Sequence, residues 1–163
     1  MDHRKILFVC LGNICRSPLA EGILRHQANL RGLSRLVATD SAGTGGWHQG
    51  EGPDNRSIAV GRRHGVDIAK LRARKLKPDD FNGFDMIFAM DRANLRDIVS
   101  AAPHDSSADI HLFMDFVSGE QRDVPDPYYG DDRDFQNVFD MLDAGCGKLL
   151  DFLYPASKTR GTT

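Results

Sequence analysis

A cysteine and an arginine separated by five residues, Cys10-Leu11-Gly12-Asn13-Ile14-Cys15-Arg16, run directly into Ser17-Pro18. A loop of this length can turn successive backbone N–H groups toward one point, a nest for a tetrahedral oxyanion. Gly12 permits a tight turn where a Cβ would be strained. Arg16 offers a planar fork of donors to two phosphate oxygens, a bidentate match that lysine lacks. The positive field that binds such an anion also favours the thiolate form of Cys10. Ser17 can donate its hydroxyl to that sulfur and ease its later departure, and Asn13 can pin the loop through its side-chain amide. Leu11 and Ile14 would form the apolar part of a pocket wall. The chemistry implied is phosphoryl transfer to sulfur, giving a cysteinyl-phosphate, followed by attack of water.

Such a reaction needs a proton donor for the leaving oxygen, commonly a carboxylic acid. Asp126 is the candidate, within Val124-Pro125-Asp126-Pro127-Tyr128-Tyr129-Gly130. Two prolines stiffen this loop around the carboxyl group, and Tyr128 and Tyr129 add aromatic surface. The single tryptophan, Trp47, lies in a glycine-rich stretch, Gly43-Thr44-Gly45-Gly46-Trp47. It reads either as a packing anchor or as a pocket wall facing Tyr128, with a substrate ring sandwiched between them.

The elements that must position these groups alternate along the chain. Ile6-Leu7-Phe8-Val9 belongs to a short buried strand over Lys5–Val9, and a helix runs from Pro18 to about Leu30. Ser17 suits the N-cap of that helix, and Pro18 its first position. A second strand covers Leu36–Ser41, and the glycine-rich loop extends from Gly43 to Pro53. Asp54 can cap a short helix over Asn55–Arg63, with Gly65 as its stop. Phe84–Ala89 reads as a third strand, Asp91 as the cap of a helix starting near Arg92, and Ile110–Phe113 as a fourth strand. Phe135, Val138, Phe139 and Leu142 begin a helical stripe that continues to Leu153. Strands separated by helices imply an α/β fold: an open parallel four-stranded sheet, helices on both faces, and the phosphate-binding loop after strand 1. Open α/β sheets place their sites at the carboxyl ends of strands, where the loop after strand 1 and the Asp126 loop after strand 4 can meet.

Both motifs resemble the low-molecular-weight protein tyrosine phosphatases. Val9 to Pro18 is similar to that family's phosphate loop, and Asp126-Pro127-Tyr128-Tyr129-Gly130 to its general-acid loop, in the family's order. The similarity runs from about Lys5 to Tyr154. It implies Cys10 as nucleophile, Arg16 as the phosphoryl-binding group and Asp126 as acid and then base, with phosphotyrosine proteins and small aryl phosphates as substrates. It also favours Cys15 as the redox partner of Cys10 in a reversible disulfide, against its plainer reading as a small packed side chain. The His64-Gly65 pair resembles a family feature in which the histidine supports the phosphate-loop asparagine, here Asn13. On its own, His64 reads equally as an ordinary residue at a helix end.

Two relatives of that fold family are disfavoured. An arsenate reductase needs further cysteines to relay a disulfide, expected near residues 80–90, and Phe81 to Met90 holds none. A protein-arginine phosphatase is expected to carry threonine where this chain has Ile14. A non-catalytic phosphopeptide-binding module would not need both Cys10 and Asp126.

Length and composition set the remaining bounds. The 163 residues suit one domain, expected over 1–155, with a disordered tail over 156–163. A net charge of −2 argues against nucleic-acid binding. No apolar run approaches a bilayer span, and Met1 to Leu11 reads as a first strand rather than a signal peptide, so a cytoplasmic protein without membrane association is expected. The three cysteines suit neither a secreted disulfide framework nor a zinc site, and Cys146 falls in an apolar helical series. No metal or cofactor is expected. Tyr128 and Tyr129 leave room for weak self-association of a monomer. Lys70, Arg72, Arg74, Lys75 and Lys77 read as a solvated face, or alternatively as a docking surface for acidic phosphopeptides.

Overall fold

The computed structural model describes residues 2–156. The tail expectation for 157–163 lies outside the described residues. β1 (Arg4–Cys10), β2 (Val37–Gly43), β3 (Met86–Ala89) and β4 (Asp109–Leu112) form one sheet in the order β2-β1-β3-β4. Every strand pair is parallel. β1 therefore lies inside the sheet, and its five residues from Ile6 to Cys10 are all buried.

Side-chain alternation along β1 divides the core in two. Ile6, Phe8 and Cys10 face α1 (Arg16–Leu30), α5 (Phe113–Ser118) and the long α6 (Asp132–Leu153). Leu7 and Val9 face Phe81 of α3 (Asp80–Gly83) and Ile98 of α4 (Arg92–Ala101). Helices thus cover both faces, which explains why β1 reads as a continuous apolar run. Phe8, Phe88 and Phe113 form one cluster with centroid separations of 5.5–5.9 Å, Phe8 stacked on Phe88 and both meeting Phe113 edge to face. Full burial of each such ring stabilises by about 1.5–3 kcal/mol relative to exposure. α2 (Asn55–Arg63) packs beside α1 and α6. No helix among the described residues is long and apolar enough to cross a membrane.

Several local expectations are corrected. α1 begins at Arg16 with Cys15 in the capping position, so Ser17 is not the N-cap and Pro18 is the third helical residue. Phe113 opens α5 rather than closing β4, and α3 and α5 are short helices that the apolar pattern did not indicate. A brief apolar run such as Ile110–Phe113 fits either state by periodicity alone. The Asp126 loop consequently follows α5, not β4. It is still drawn to the carboxyl edge of the sheet, because the Val124 N–H donates to the carbonyl of Met90, just after β3, at 2.8 Å. By contrast, Asp54 caps α2 by accepting from the Arg56 N–H, and Gly65 lies just past that helix at φ 78°.

Candidate active site

The loop after β1 is held by a buried chain of polar groups. Arg74 donates its backbone N–H to Asn13 Oδ1 at 2.9 Å, which fixes the orientation of the Asn13 amide. Asn13 Nδ2 then donates to Ser17 Oγ at 2.7 Å and to Ser41 Oγ at 3.0 Å. The Ser41 hydroxyl donates to Glu21 Oε1 at 2.7 Å. Ser17 Oγ accepts from Asn13 and lies 3.0 Å from Cys10 Sγ and 3.4 Å from the Ala42 carbonyl, so the sulfur is the nearer of two acceptors for its hydroxyl proton. Asn13, Ser17, Ser41 and Glu21 are all buried, so each unmade bond would cost a desolvation penalty.

Asn13 supplies the loop's tight turn, with φ 58°, a conformation asparagine tolerates better than most residues. This corrects the role expected of Gly12. Its missing side chain instead makes room for His48, since a Cβ on Gly12 would stand 3.0 Å from that ring. Gly43, at the end of β2, is equally constrained: a Cβ there would lie 2.7 Å from the Leu11 carbonyl.

Arg16 is almost wholly buried and held from two sides. Its Nη1 donates to Asp91 Oδ2 at 2.6 Å and to the Val124 carbonyl at 3.1 Å. Its Nη2 stands 3.7 Å from Asp126 Oδ2. Burial alone would weaken its hold on the proton, but the negative charge of Cys10, Asp91 and Asp126 outweighs burial and raises its pKa. Asp91 also caps α4, accepting from the Asn94 N–H at 2.7 Å. It therefore does two jobs, of which the sequence indicated only the cap. An aspartate just past the carboxyl end of β3 was the available signal.

Cys10, Arg16 and Asp126 meet in one cavity of about 250 Å³, with Leu11, Ile14 and Cys15. Trp47, His48, Tyr128 and Tyr129 complete its lining. Floor and rim differ sharply: Cys10 is 2% exposed, Trp47 71% and Tyr129 95%. The Trp47 ring stands against Gly45, where any side chain would overlap it. His48 Nδ1 lies 2.9 Å from Glu51 Oε2, a rim pair that sequence reasoning missed. Burial, followed by the charges of Asp54, Cys10 and Asp126, pushes the Cys15 thiol pKa up to about 12. All three cysteines are free.

One expected site residue lies elsewhere. His64 stacks on Phe139 with ring centroids 4.3 Å apart, and its Nε2 meets Gln136 on α6. Asn13 is supported instead by Arg74, Ser17 and Ser41. Arg74 also bridges Asp40 and Asp80, so this member of the basic segment is internal scaffolding rather than solvated face. Among the described residues, no group of three or more His, Cys, Asp or Glu side chains could hold a metal ion.

A buried thiol in a loop at a helix N-terminus, a buried guanidinium and a nearby carboxyl group can bind a phosphate ester and transfer its phosphoryl group. Comparison with known proteins points the same way. The family described as low molecular weight phosphotyrosine protein phosphatase matches residues 5–158. A low molecular weight phosphotyrosine protein phosphatase of Schizosaccharomyces pombe is 46% identical over 140 residues, 85% of this chain and 89% of its own. Among solved structures, a protein tyrosine phosphatase from Entamoeba histolytica superposes with a TM-score of 0.86 at 36% identity, covering 98% of this chain and 99% of that one. A drosophila arginine phosphatase also superposes with a TM-score of 0.86, at 30% identity, over 94% of this chain and 99% of its own.

Proposed function

The chain belongs to the low molecular weight phosphotyrosine protein phosphatase family, and we propose that it cleaves phosphotyrosine through a cysteinyl-phosphate formed on Cys10. The observation that carries this reading is the convergence of Cys10, Arg16 and Asp126 in one aromatic-walled cavity. The phosphate loop, Leu11 to Ser17, surrounds the phosphoryl group, with Arg16 forking two of its oxygens. The Cys10 thiolate attacks phosphorus while the S–P bond forms and the P–O(aryl) bond breaks. Asp126 gives its proton to the departing phenolate oxygen. In the second step Asp126, now a carboxylate, takes a proton from water as that water attacks phosphorus. The S–P bond breaks, and the Ser17 hydroxyl stabilises the returning thiolate.

Depth supports the choice of an aryl ester. Cys10 lies at the floor, while Trp47, Tyr128 and Tyr129 stand at the mouth. A phosphotyrosine ring spans that distance and stacks on the walls; a phosphoserine side chain is too short. Ile14 keeps the wall beside the loop apolar, which suits an aromatic ring better than a guanidinium.

Cys15 supports a protective role in the same pocket. Peroxide converts the Cys10 thiolate to sulfenic acid, with the O–O bond breaking to release hydroxide, which takes a proton from solvent to become water. The Cys15 thiol then attacks that sulfur, gives up its proton, and water leaves as the Cys10–Cys15 disulfide forms. An added dithiol reverses the step by exchange. Recovery of activity after peroxide is expected to be lost in Cys15→Ser; equal recovery in that variant defeats this role.

The direct test is phosphate release from matched phosphotyrosine, phosphoserine and phosphoarginine peptides, comparing wild type with Cys10→Ser and Asp126→Asn. Hydrolysis selective for phosphotyrosine, abolished by the first change and strongly slowed by the second, is expected. Preference for phosphoarginine keeps the chemistry and overturns the substrate class, and turnover surviving Cys10→Ser overturns the mechanism.

A further inference from the structure

Asp126 must stand over the phosphate loop to protonate a leaving oxygen, yet its side chain is 44% exposed and reaches Arg16 only at 3.7 Å. Arg56, the second residue of α2, supplies a firmer tie. Its Nη2 donates to the Tyr128 carbonyl at 2.9 Å and its Nη1 to the Gly130 carbonyl at 3.2 Å. The guanidinium also lies 4.5 Å from the Phe135 ring centroid and 5.7 Å from that of Tyr128. Asp54 braces it from behind, accepting from Nε and Nη2 at 3.0 Å each.

Both ends of this clamp lead into the cavity. The Asp54 backbone N–H donates to the Ile14 carbonyl at 2.8 Å, inside the phosphate loop. The Tyr128 N–H donates to Asp126 Oδ1 at 3.1 Å, orienting the carboxyl group itself. An unbroken path therefore runs Ile14, Asp54, Arg56, Tyr128, Asp126. Four of the five guanidinium N–H donors are spent within the protein, on Asp54, Tyr128 and Gly130, so Arg56 has little left to offer a substrate.

We infer that Arg56 is a positioning residue that locks the Asp126 loop to the phosphate loop and so sets the distance over which Asp126 delivers its proton. This inference rests on the reading of Asp126 as the general acid. A lysine could not replace it, because a point charge cannot span two carbonyls and a carboxylate in one plane. The clamp also explains why the loop needs little burial of its own.

The test uses a series of aryl phosphates whose leaving phenols range from strongly to weakly acidic. A weakly acidic phenol needs the proton in the transition state and a strongly acidic one does not. Values of kcat/KM are compared across the series for wild type, Asp126→Asn, Arg56→Ala, Asp54→Asn and the Arg56→Ala, Asp126→Asn double variant. Arg56→Ala is expected to lose about tenfold to a hundredfold on the least acidic phenols and less than about threefold on the most acidic. Asp54→Asn follows in the same direction with a smaller slope. The double variant matches Asp126→Asn alone within about twofold, since two changes acting through one proton do not add. The slope across the series is unaffected by any loss of folded protein, which lowers every rate alike.

A uniform loss in Arg56→Ala beside a steep dependence in Asp126→Asn overturns the inference and leaves the acid reading intact. Full additivity in the double variant overturns it equally. A flat response in Asp126→Asn removes the acid reading itself, and the role of Arg56 falls with it.

Discussion

The floor of the cavity and its rim are built on opposite principles. At the floor, Asn13, Ser17, Ser41 and Glu21 are buried and tied into one hydrogen-bonded chain that ends at Cys10, and the buried Arg16 is held separately by Asp91 and the Val124 carbonyl. At the rim, Trp47 and Tyr129 are mostly exposed, and Asp126 depends on the Arg56 clamp and a contact to Arg16. Buried polar groups tolerate almost no displacement, because each lost partner leaves a desolvated donor or acceptor. Exposed aromatics can shift with little penalty. A fixed floor suits bond making and breaking, while an adaptable rim suits phosphoproteins whose sequences differ around the modified residue.

That contrast predicts a graded series. The largest effect is expected from Cys10→Ser, which removes the proposed nucleophile while keeping shape and polarity: phosphate release should fall to background, on the order of 10⁵-fold or more. Next comes Asn13→Ala, which cuts the link between Arg74, Ser41 and Ser17. Its kcat should fall by about 10²-fold with KM changed far less, because the loop and the Ser17 hydroxyl lose their orientation. Trp47→Ala should do the reverse, raising KM for phosphotyrosine peptides by roughly tenfold through lost ring stacking while kcat stays within about threefold. Were Trp47→Ala to lower kcat as Asn13→Ala does, the division between floor and rim would be wrong.

The smallest expected effect concerns the far end of the floor chain. Burial raises the Glu21 pKa above the usual glutamate range, against the opposing bonds from Ser41 and Arg25. A carboxyl group whose folded pKa is raised contributes stability that is fully present below its ordinary value and is lost as pH rises through the folded value. The thermal midpoint of wild type should therefore decline relative to Glu21→Gln across the weakly acidic range, measured by scanning calorimetry at stepped pH. Asp54 behaves oppositely. Hydrogen bonds from the Arg56 side chain lower its pKa, so the clamp's contribution is present above the usual aspartate range and disappears as pH falls through the lowered value.

Much of this organisation is legible in the chain, and the exceptions share a cause. The strand, loop and helix around Cys10, the Asp54 cap and the Gly65 stop follow from local patterns that the fold leaves intact. The parallel sheet follows from the alternation of strands and helices. Ser17 illustrates the limit: its preference for an N-cap, worth about 1 kcal/mol, yields to bonds with Asn13 and Cys10 inside a buried network. The expected role of His64 fails, and the contact of Asp91 with Arg16 goes unseen beside its correctly read cap, for a related reason. Their partners, Gln136 and Phe139 in one case and Arg16 in the other, lie more than 70 residues away, at 72, 75 and 75 positions respectively. Arg56 reaches the acid loop across a similar gap, and no local motif announces such a contact. α3 and α5 are too short for apolar periodicity to identify.

The most direct test of the central claim is to trap the phosphoenzyme. Asp126→Asn, mixed with an aryl phosphate whose phenol departs without a proton, should form the cysteinyl-phosphate readily and hydrolyse it slowly. Acid quenching on the millisecond scale, followed by proteolysis and mass spectrometry, should find one phosphoryl group on the peptide containing Cys10 and on no other. A phosphoryl group on a different residue, or rapid phosphate release with no covalent species at any time point, would contradict the account.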